Sequence, residues 1–224
     1  MNAPSATPDG AKNVNIVGLG GSLRPTSSSR AALKTALDGA AEAGAQVDLL
    51  DLRQLNLPMY DPSSDDMPES VTRLVESIYA ADGMIWSSPL YNGSISGSFK
   101  NALDWLILLN DREPAYLTDK VVGLISVAGG TQGLQAINTM EFIVRALRGW
   151  AVPLVVPIPQ SWQAFEDSGR PANPQIEEPL KTLGGEVVRV TRRLAHKEIT
   201  DPGAACAEAA KRLALVGSAQ PSGS

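Results

Sequence analysis

The chain has one cysteine and one histidine among 224 residues, and that scarcity removes most side-chain chemistries. A lone Cys206 leaves no intramolecular disulfide and no cysteine-based metal site. A lone His196 leaves no histidine-based metal site, and with no other histidine to act as base a Ser-His-Asp arrangement would have to use this one. Beside Lys197, at the end of an expected helix, it reads as a solvated residue favourable to the helix dipole. No apolar run approaches the ~18 residues that would suggest a membrane span. Residues 1–13, MNAPSATPDGAKN, lack an apolar core for a signal peptide, so the expected compartment is the cytoplasm. Positive charge is short as well. Lys and Arg number 19 against 24 Asp and Glu, a net −5, which argues against a nucleic-acid footprint. Whatever reaction this chain performs must be supplied by a bound cofactor.

What is present is an alternation of strand and helix patterns. Apolar runs at 14–20, 46–52, 83–88, 120–127 and 151–157 read as strands, with helices at 28–43, 69–81, 97–110, 133–148 and 176–196. Five strands alternating with helices predict an α/β fold, a doubly wound parallel sheet with helices on both faces. The length fits one such domain, over residues 14–198. It is flanked by a flexible N-terminus at 1–13 and a C-terminal tail at 199–224 whose last residues are expected to be disordered. One connection stands out: residues 55–68, LNLPMYDPSSDDMP, form a loop longer than usual, which suggests function or an interface.

Two loops carry the chemistry. After the first strand comes GSLRPTSSSR, in which Ser22, Thr26, Ser27, Ser28 and Ser29 offer hydroxyls and Arg24 and Arg30 offer positive charge. The helix that follows offers unpaired N–H groups, completing an anion cradle. After the third strand, whose ladder Pro89 is expected to end, comes PLYNGSISG. There Tyr91 supplies an aromatic face, and Asn92 and Gly93 permit a positive-φ turn. Taken singly, the first loop also fits a capped helix start and Tyr91 a packing residue. The conjunction is what points to a ligand, because both loops lie at carboxyl ends of strands in a doubly wound sheet. One loop suits a phosphate and the other a flat ring.

Two other phosphate motifs fail. Gly18 and Gly20 begin a G-x-G-x-x-G pattern, but Leu23 stands at its third glycine. No Gly-Lys-Ser/Thr ends the loop, which excludes a Walker A site.

The pair GSLR…S…R at 21–30 and P-x-YNGS…G…KNALDW at 89–105 resembles the NADPH-dependent FMN reductase family of flavodoxin-like proteins, which includes flavin, quinone, chromate and azo reductases. The resemblance runs over about residues 13–195. It implies that Ser22, Arg24, Ser27 and Ser29 bind the FMN phosphate and that Pro89, Leu90, Tyr91, Asn92, Gly93 and Ser94 border the isoalloxazine ring. The family's third loop falls on AGGTQG at 128–133, where Gly129, Gly130 and Thr131 would let the backbone approach the flavin edge. The chain departs from the family at two places, with Leu90 where many members have Glu and Ser29 where many have Asn.

The activity so implied is hydride transfer from NAD(P)H to FMN, directly from nicotinamide C4 to flavin N5, for which no catalytic side chain is needed. The electrons would pass on as free reduced FMN to a flavin-dependent monooxygenase, or to a small acceptor such as a quinone, azo compound or metal oxyanion. The alternatives are a non-enzymatic flavodoxin-like electron carrier, which the absent T-x-T-G-x-T phosphate pattern disfavours, and a flavin-binding module without turnover. In the helix from Gly97, Phe99, Ala102, Leu103, Leu106 and Leu109 form one apolar face and Trp105 and Leu108 a second. The second face predicts packing on another subunit, in a homodimer or homotetramer. Trp150, Trp162 and Phe165 read first as core packing, with an interface or lid as the other reading.

Overall fold

The computed structural model describes residues 13–64 and 66–195, so the expectations for the N-terminus, His196, Cys206 and the tail lie outside the described residues. The chain divides into two units, Met1–Arg192 and Arg193–Ser224, and the sheet belongs to the first.

Five strands pair in parallel: β1 (Asn15–Gly20), β2 (Gln46–Asp51), β3 (Gly83–Tyr91), β5 (Val121–Val127) and β6 (Trp150–Ile158). Their order is β2-β1-β3-β5-β6, with a short antiparallel strand β4 (Ser94–Ile95) added to the end of β3. Between β1 and β3 the winding reverses, which opens the crevice at their carboxyl ends where doubly wound sheets bind ligands. β5 is buried along its whole length and β1 over all but its first residue, as continuous apolar strands covered on both faces should be. Helices α1 (Ser28–Glu42) and α6 (Pro174–Ala195) cover one face, with Leu33 and Leu37 against Gly18 and Leu183 and Val187 against Gly123. The other face holds α3 (Glu69–Ala80), α4 (Gly97–Asp104) and α5 (Gly133–Ala146) around Met84, Trp86, Val122 and Leu124.

Three expectations are corrected. Pro89 ends the β3–β5 ladder as expected, pairing with Val127 in its last step, but the strand does not stop at Ser88: β3 runs on through Tyr91 into a hairpin with β4. A proline at the end of a ladder removes a donor where the pairing is about to stop, so it breaks nothing. The chain from β2 also turns at once into a four-residue helix, α2 (Leu52–Leu55), capped by the Asp51 side chain. Finally, the helix from Gly97 is α-helical only to Asp104 and continues as a 3₁₀ turn over Trp105–Leu109.

Of the second apolar face of that helix, Trp105 is covered from within the chain while Leu108 stays half-buried. Trp105 is only 4% exposed: its Nε1 donates to the Pro58 carbonyl at 3.0 Å, and its ring meets Tyr60 edge-on at 5.1 Å. Asn101 completes the seam, donating Nδ2 to the same carbonyl and accepting from the Tyr60 N–H, both at 2.8 Å. The long 55–68 loop is therefore what Trp105 packs on, and the side-chain amide that made this possible carries no pattern in sequence. Replacing Asn101 with alanine leaves the Tyr60 N–H without that acceptor, and we expect a loss of about 1–3 kcal/mol in urea unfolding. An unchanged midpoint would show that the seam is incidental.

At the end of α3, Lys120 Nζ donates to the carbonyls of Tyr79 and Ala81, at 2.9 and 2.5 Å. Burial holds its pKa below the usual lysine value, opposed in part by Asp82. The unfolded chain then keeps a proton that the folded chain releases first, so this group's contribution to stability grows with pH. The growth begins at the depressed folded value and is complete above the ordinary 10.5. The stability of the wild type relative to Lys120→Met should therefore rise between neutral pH and that range. A flat difference in denaturant titrations would contradict the shift.

Candidate functional site

The first loop is a knot of hydroxyls. Ser27 caps α1, its Oγ accepting from the Arg30 N–H at 3.2 Å. The same Oγ receives the Ser22 hydroxyl at 3.1 Å and lies 3.1 Å from Ser29 Oγ. Ser22 and Ser29 are buried, whereas Arg24 and Thr26 are exposed. No acidic residue occupies the first turn of α1, so nothing there competes for the positive end of its dipole. An anion at such a helix start gains about 0.3–1 kcal/mol from the dipole alone.

The two arginines separate into different roles. Arg30 Nη1 pairs with the buried Asp51 carboxylate at 3.2 Å, so its charge is committed to a partner within the protein although its side chain is 44% exposed. Arg24 has no ion pair among the described residues, which leaves it available to a ligand. Leu23, which breaks the dinucleotide fingerprint, is 60% exposed in the loop, five residues before α1 begins.

The second loop is a tight hairpin. Leu90 pairs with Ile95 and Tyr91 with Ser94, and the two-residue turn between them is Asn92 at φ +49° and Gly93 at φ +84°. Both central residues need positive φ in such a turn, which is why Asn-Gly serves. Beneath it Ser88 Oγ accepts from the Ser96 N–H at 3.1 Å, fixing the hairpin to the start of α4. Tyr91 is left 48% exposed at its tip. Pro89 is buried and Leu90 half-buried, so of the six residues expected here, the turn and Tyr91 are the ones facing out.

Contacts between loops bring the three segments together. Gly21 N donates to the Ser87 carbonyl at 3.2 Å, and Ser87 Oγ donates to the Ser29 carbonyl at 2.8 Å, joining the first loop to β3. Ser94 Oγ lies 3.5 Å from Thr139 Oγ1 of α5, the helix that the third loop feeds. In that third loop Gly129, Gly130 and Thr131 are all exposed. The segment after β6 ties it to the first loop: the Ser161 N–H donates to the Ala128 carbonyl at 3.0 Å, and Ser28 Oγ donates to the Ser161 carbonyl at 3.3 Å. Trp162 follows, 70% exposed, with its ring close to Gly129. It is not core, as first read, but a rim residue, and no spacing in the sequence revealed it. Phe165 is half-buried, while Trp150 is 59% exposed at the start of the edge strand β6. An open groove of about 1140 Å³ runs from Arg24 and Ser27 along α1 to Trp162 and Arg170; it includes the first loop but not Tyr91.

The donor set fits a phosphorylated flavin. Hydroxyls, a helix start and an arginine with no acidic partner among the described residues suit the phosphate, and the exposed tyrosine and glycine turns suit the ring. The described residues include no helix long and apolar enough to cross a membrane.

Comparison with known proteins agrees with this geometry. The family described as NADPH-dependent FMN reductase matches residues 14–163. The NADPH-dependent FMN reductase ArsH of Shigella flexneri is 31% identical over 202 residues, covering 89% of this chain and 76% of its own length. The ArsH of Acidithiobacillus ferrooxidans is 34% identical over 112 residues, and there the match spans only about half of each chain, 49% and 47%. Among solved structures, the NAD(P)H:(acceptor) oxidoreductase FerB of Paracoccus denitrificans superposes with a TM-score of 0.66 at 21% identity, over 80% of this chain and 98% of that one.

Proposed function

This chain belongs to the NADPH-dependent FMN reductase family, and we propose that its three loops hold FMN and present it to a nicotinamide nucleotide and then to a small electron acceptor. When bound, FMN supplies the redox chemistry, taking a hydride from NAD(P)H and passing electrons on. The protein's part is positioning. Arg24 and the Ser22, Ser27 and Ser29 cluster anchor the phosphate, Tyr91 and the Asn92-Gly93 turn border the ring, and Gly129, Gly130 and Thr131 leave room at its edge. The observation that carries this reading is Arg24, a cation with no ion pair among the described residues, beside the start of α1, which Ser29 and Ser87 join to the strand that ends in Tyr91.

Acceptors in keeping with the family are quinones, azo compounds and metal oxyanions, or a monooxygenase fed by released reduced FMN. The same proposal places the chain in the cytoplasm and in a homodimer or homotetramer. Since Trp105 is covered from within, support for association now comes from α5, where Leu134 is 53% and Phe142 70% exposed. Sedimentation as a monomer alone at micromolar concentration would remove that part.

The test of function is anaerobic oxidation of NADPH and NADH by purified protein, followed by bleaching of the flavin band, with and without added FMN. Rapid bleaching is expected. Tight FMN binding without bleaching would make the chain a carrier or a binding module, and no FMN binding would overturn the assignment of the loops.

A further inference from the structure

We propose that Asp51 is the positioning residue that holds the first loop in its phosphate-ready form, so that the protein's preference for FMN over riboflavin depends on a carboxylate that never touches the flavin. This rests on the reading of that loop as the phosphate site.

Asp51 ends β2, directly beside Gly20 at the end of β1, and its side chain is 2% exposed. Its two oxygens have different partners. Oδ1 accepts from the Arg53 N–H at 3.0 Å, and Oδ2 pairs with Arg30 Nη1 at 3.2 Å. Arg30 is the third residue of α1, and its own N–H is the one that Ser27 Oγ caps. A hold on the Arg30 side chain is therefore also a hold on the start of α1 and on the hydroxyl cluster around Ser27.

Asp51 also lies against the bend of the loop. A side-chain carbon at Gly21, where φ is +97°, would stand 3.3 Å from Asp51 Oδ1 and 3.5 Å from Arg30 Cβ. A third tie comes from Arg53, whose Nη1 donates to the Leu23 carbonyl at 2.6 Å. From the end of β2 the loop is thus held at Leu23 and at Arg30, while Gly21 packs beside Asp51 and is bonded to Ser87 of β3.

The charges make a second point. A bare buried carboxylate next to an anion site would repel the phosphate. Pairing with the half-exposed Arg30 neutralises it, and left alone the buried carboxylate would be costly. The pair is then a structural unit with no net charge, and Arg24 is the cation that meets the ligand. The opposite view, that Asp51 merely caps the four-residue helix α2, predicts no effect on flavin choice.

The experiment titrates FMN and riboflavin separately into the wild type, Asp51→Asn and Arg53→Gln, following flavin fluorescence. Asp51→Asn should weaken FMN binding about tenfold and leave riboflavin unchanged, narrowing the preference between them. Arg53→Gln, which keeps the buried pair intact, should give a smaller loss in the same direction; if Asp51→Asn does not fold, this variant decides. Adding Arg30→Gln to Asp51→Asn should change nothing further, because the two act as one unit. Tighter or unchanged FMN binding in Asp51→Asn would overturn the proposal, as would equal weakening of both flavins, the mark of general loosening. A wild type that prefers FMN while the variants match it would overturn this inference alone. A wild type that binds neither flavin would overturn the phosphate-loop reading and this inference with it.

Discussion

Replacing Arg24 with alanine is expected to weaken FMN binding by about 1.5–3 kcal/mol, the usual worth of a hydrogen bond to a charged group. On a titration that is roughly a tenfold to hundredfold rise in Kd. The size follows from how the two arginines of the loop differ. Arg30 is paired with Asp51, so its removal would disturb the loop before it reached the phosphate. Arg24 is exposed and holds no acidic partner among the described residues, so its removal should take away a ligand contact and little else. Its unfolding midpoint should therefore stay near that of the wild type, and riboflavin, which lacks the phosphate, should bind as before. Unchanged FMN affinity would take Arg24 out of the site.

Replacing Gly20 with alanine should do more damage. An added Cβ would stand 2.2 Å from the Ser87 carbonyl oxygen and 3.0 Å from the Ser87 nitrogen, all backbone of the neighbouring strand that cannot swing aside. Overpacking in a well-filled interior costs about 1–3 kcal/mol and more when backbone must move; here we expect the upper end. The effect falls where β1 and β3 separate to form the crevice. Moving them apart there breaks the Gly21 to Ser87 hydrogen bond and shifts the Ser87 hydroxyl that holds the Ser29 carbonyl. Stability and FMN affinity should fall together in one variant. Gly97→Ala is the control, since a Cβ there meets nothing within 4 Å and should be close to neutral in both measurements. A stable Gly20→Ala that binds FMN like the wild type would mean that the strands can spread without cost to the site.

Much of this site was legible in one dimension. GSLRPTSSSR and PLYNGSISG follow strands whose apolar runs are visible without a structure, and the Asn-Gly pair announces its own turn. The hairpin formed as that dipeptide requires, with positive φ at both residues. The less legible parts are those where a side chain is recruited from far away. Asp51 looks like any acidic residue at a strand end until Arg30, 21 positions earlier, is seen to reach it. Trp162 follows a strand that ends at Ile158, and nothing in its neighbours tells that Ser161 ties it to both Ala128 and Ser28. Trp105 seemed to need a second subunit because helical spacing shows which residues share a face but not what covers that face.

The sequence alone determined the alternation of strand and helix, the carboxyl-end placement of two of the loops, and the scarcity of histidine and cysteine that led to the expectation of a bound cofactor. These depend on local rules: apolar periodicity, the φ demands of Asn-Gly, the hydroxyl preference of a helix start, and the count of histidines and cysteines. Only the tertiary structure decided which arginine of the first loop has no ion pair among the described residues, what buries Trp105, and that Asp51 and Arg53 reach that loop from the end of β2. Each of those turns on a pairing between residues distant in the chain. Such a pairing exists only once the sheet has set β2 beside β1 and packed the 55–68 loop on α4, and no local pattern encodes it.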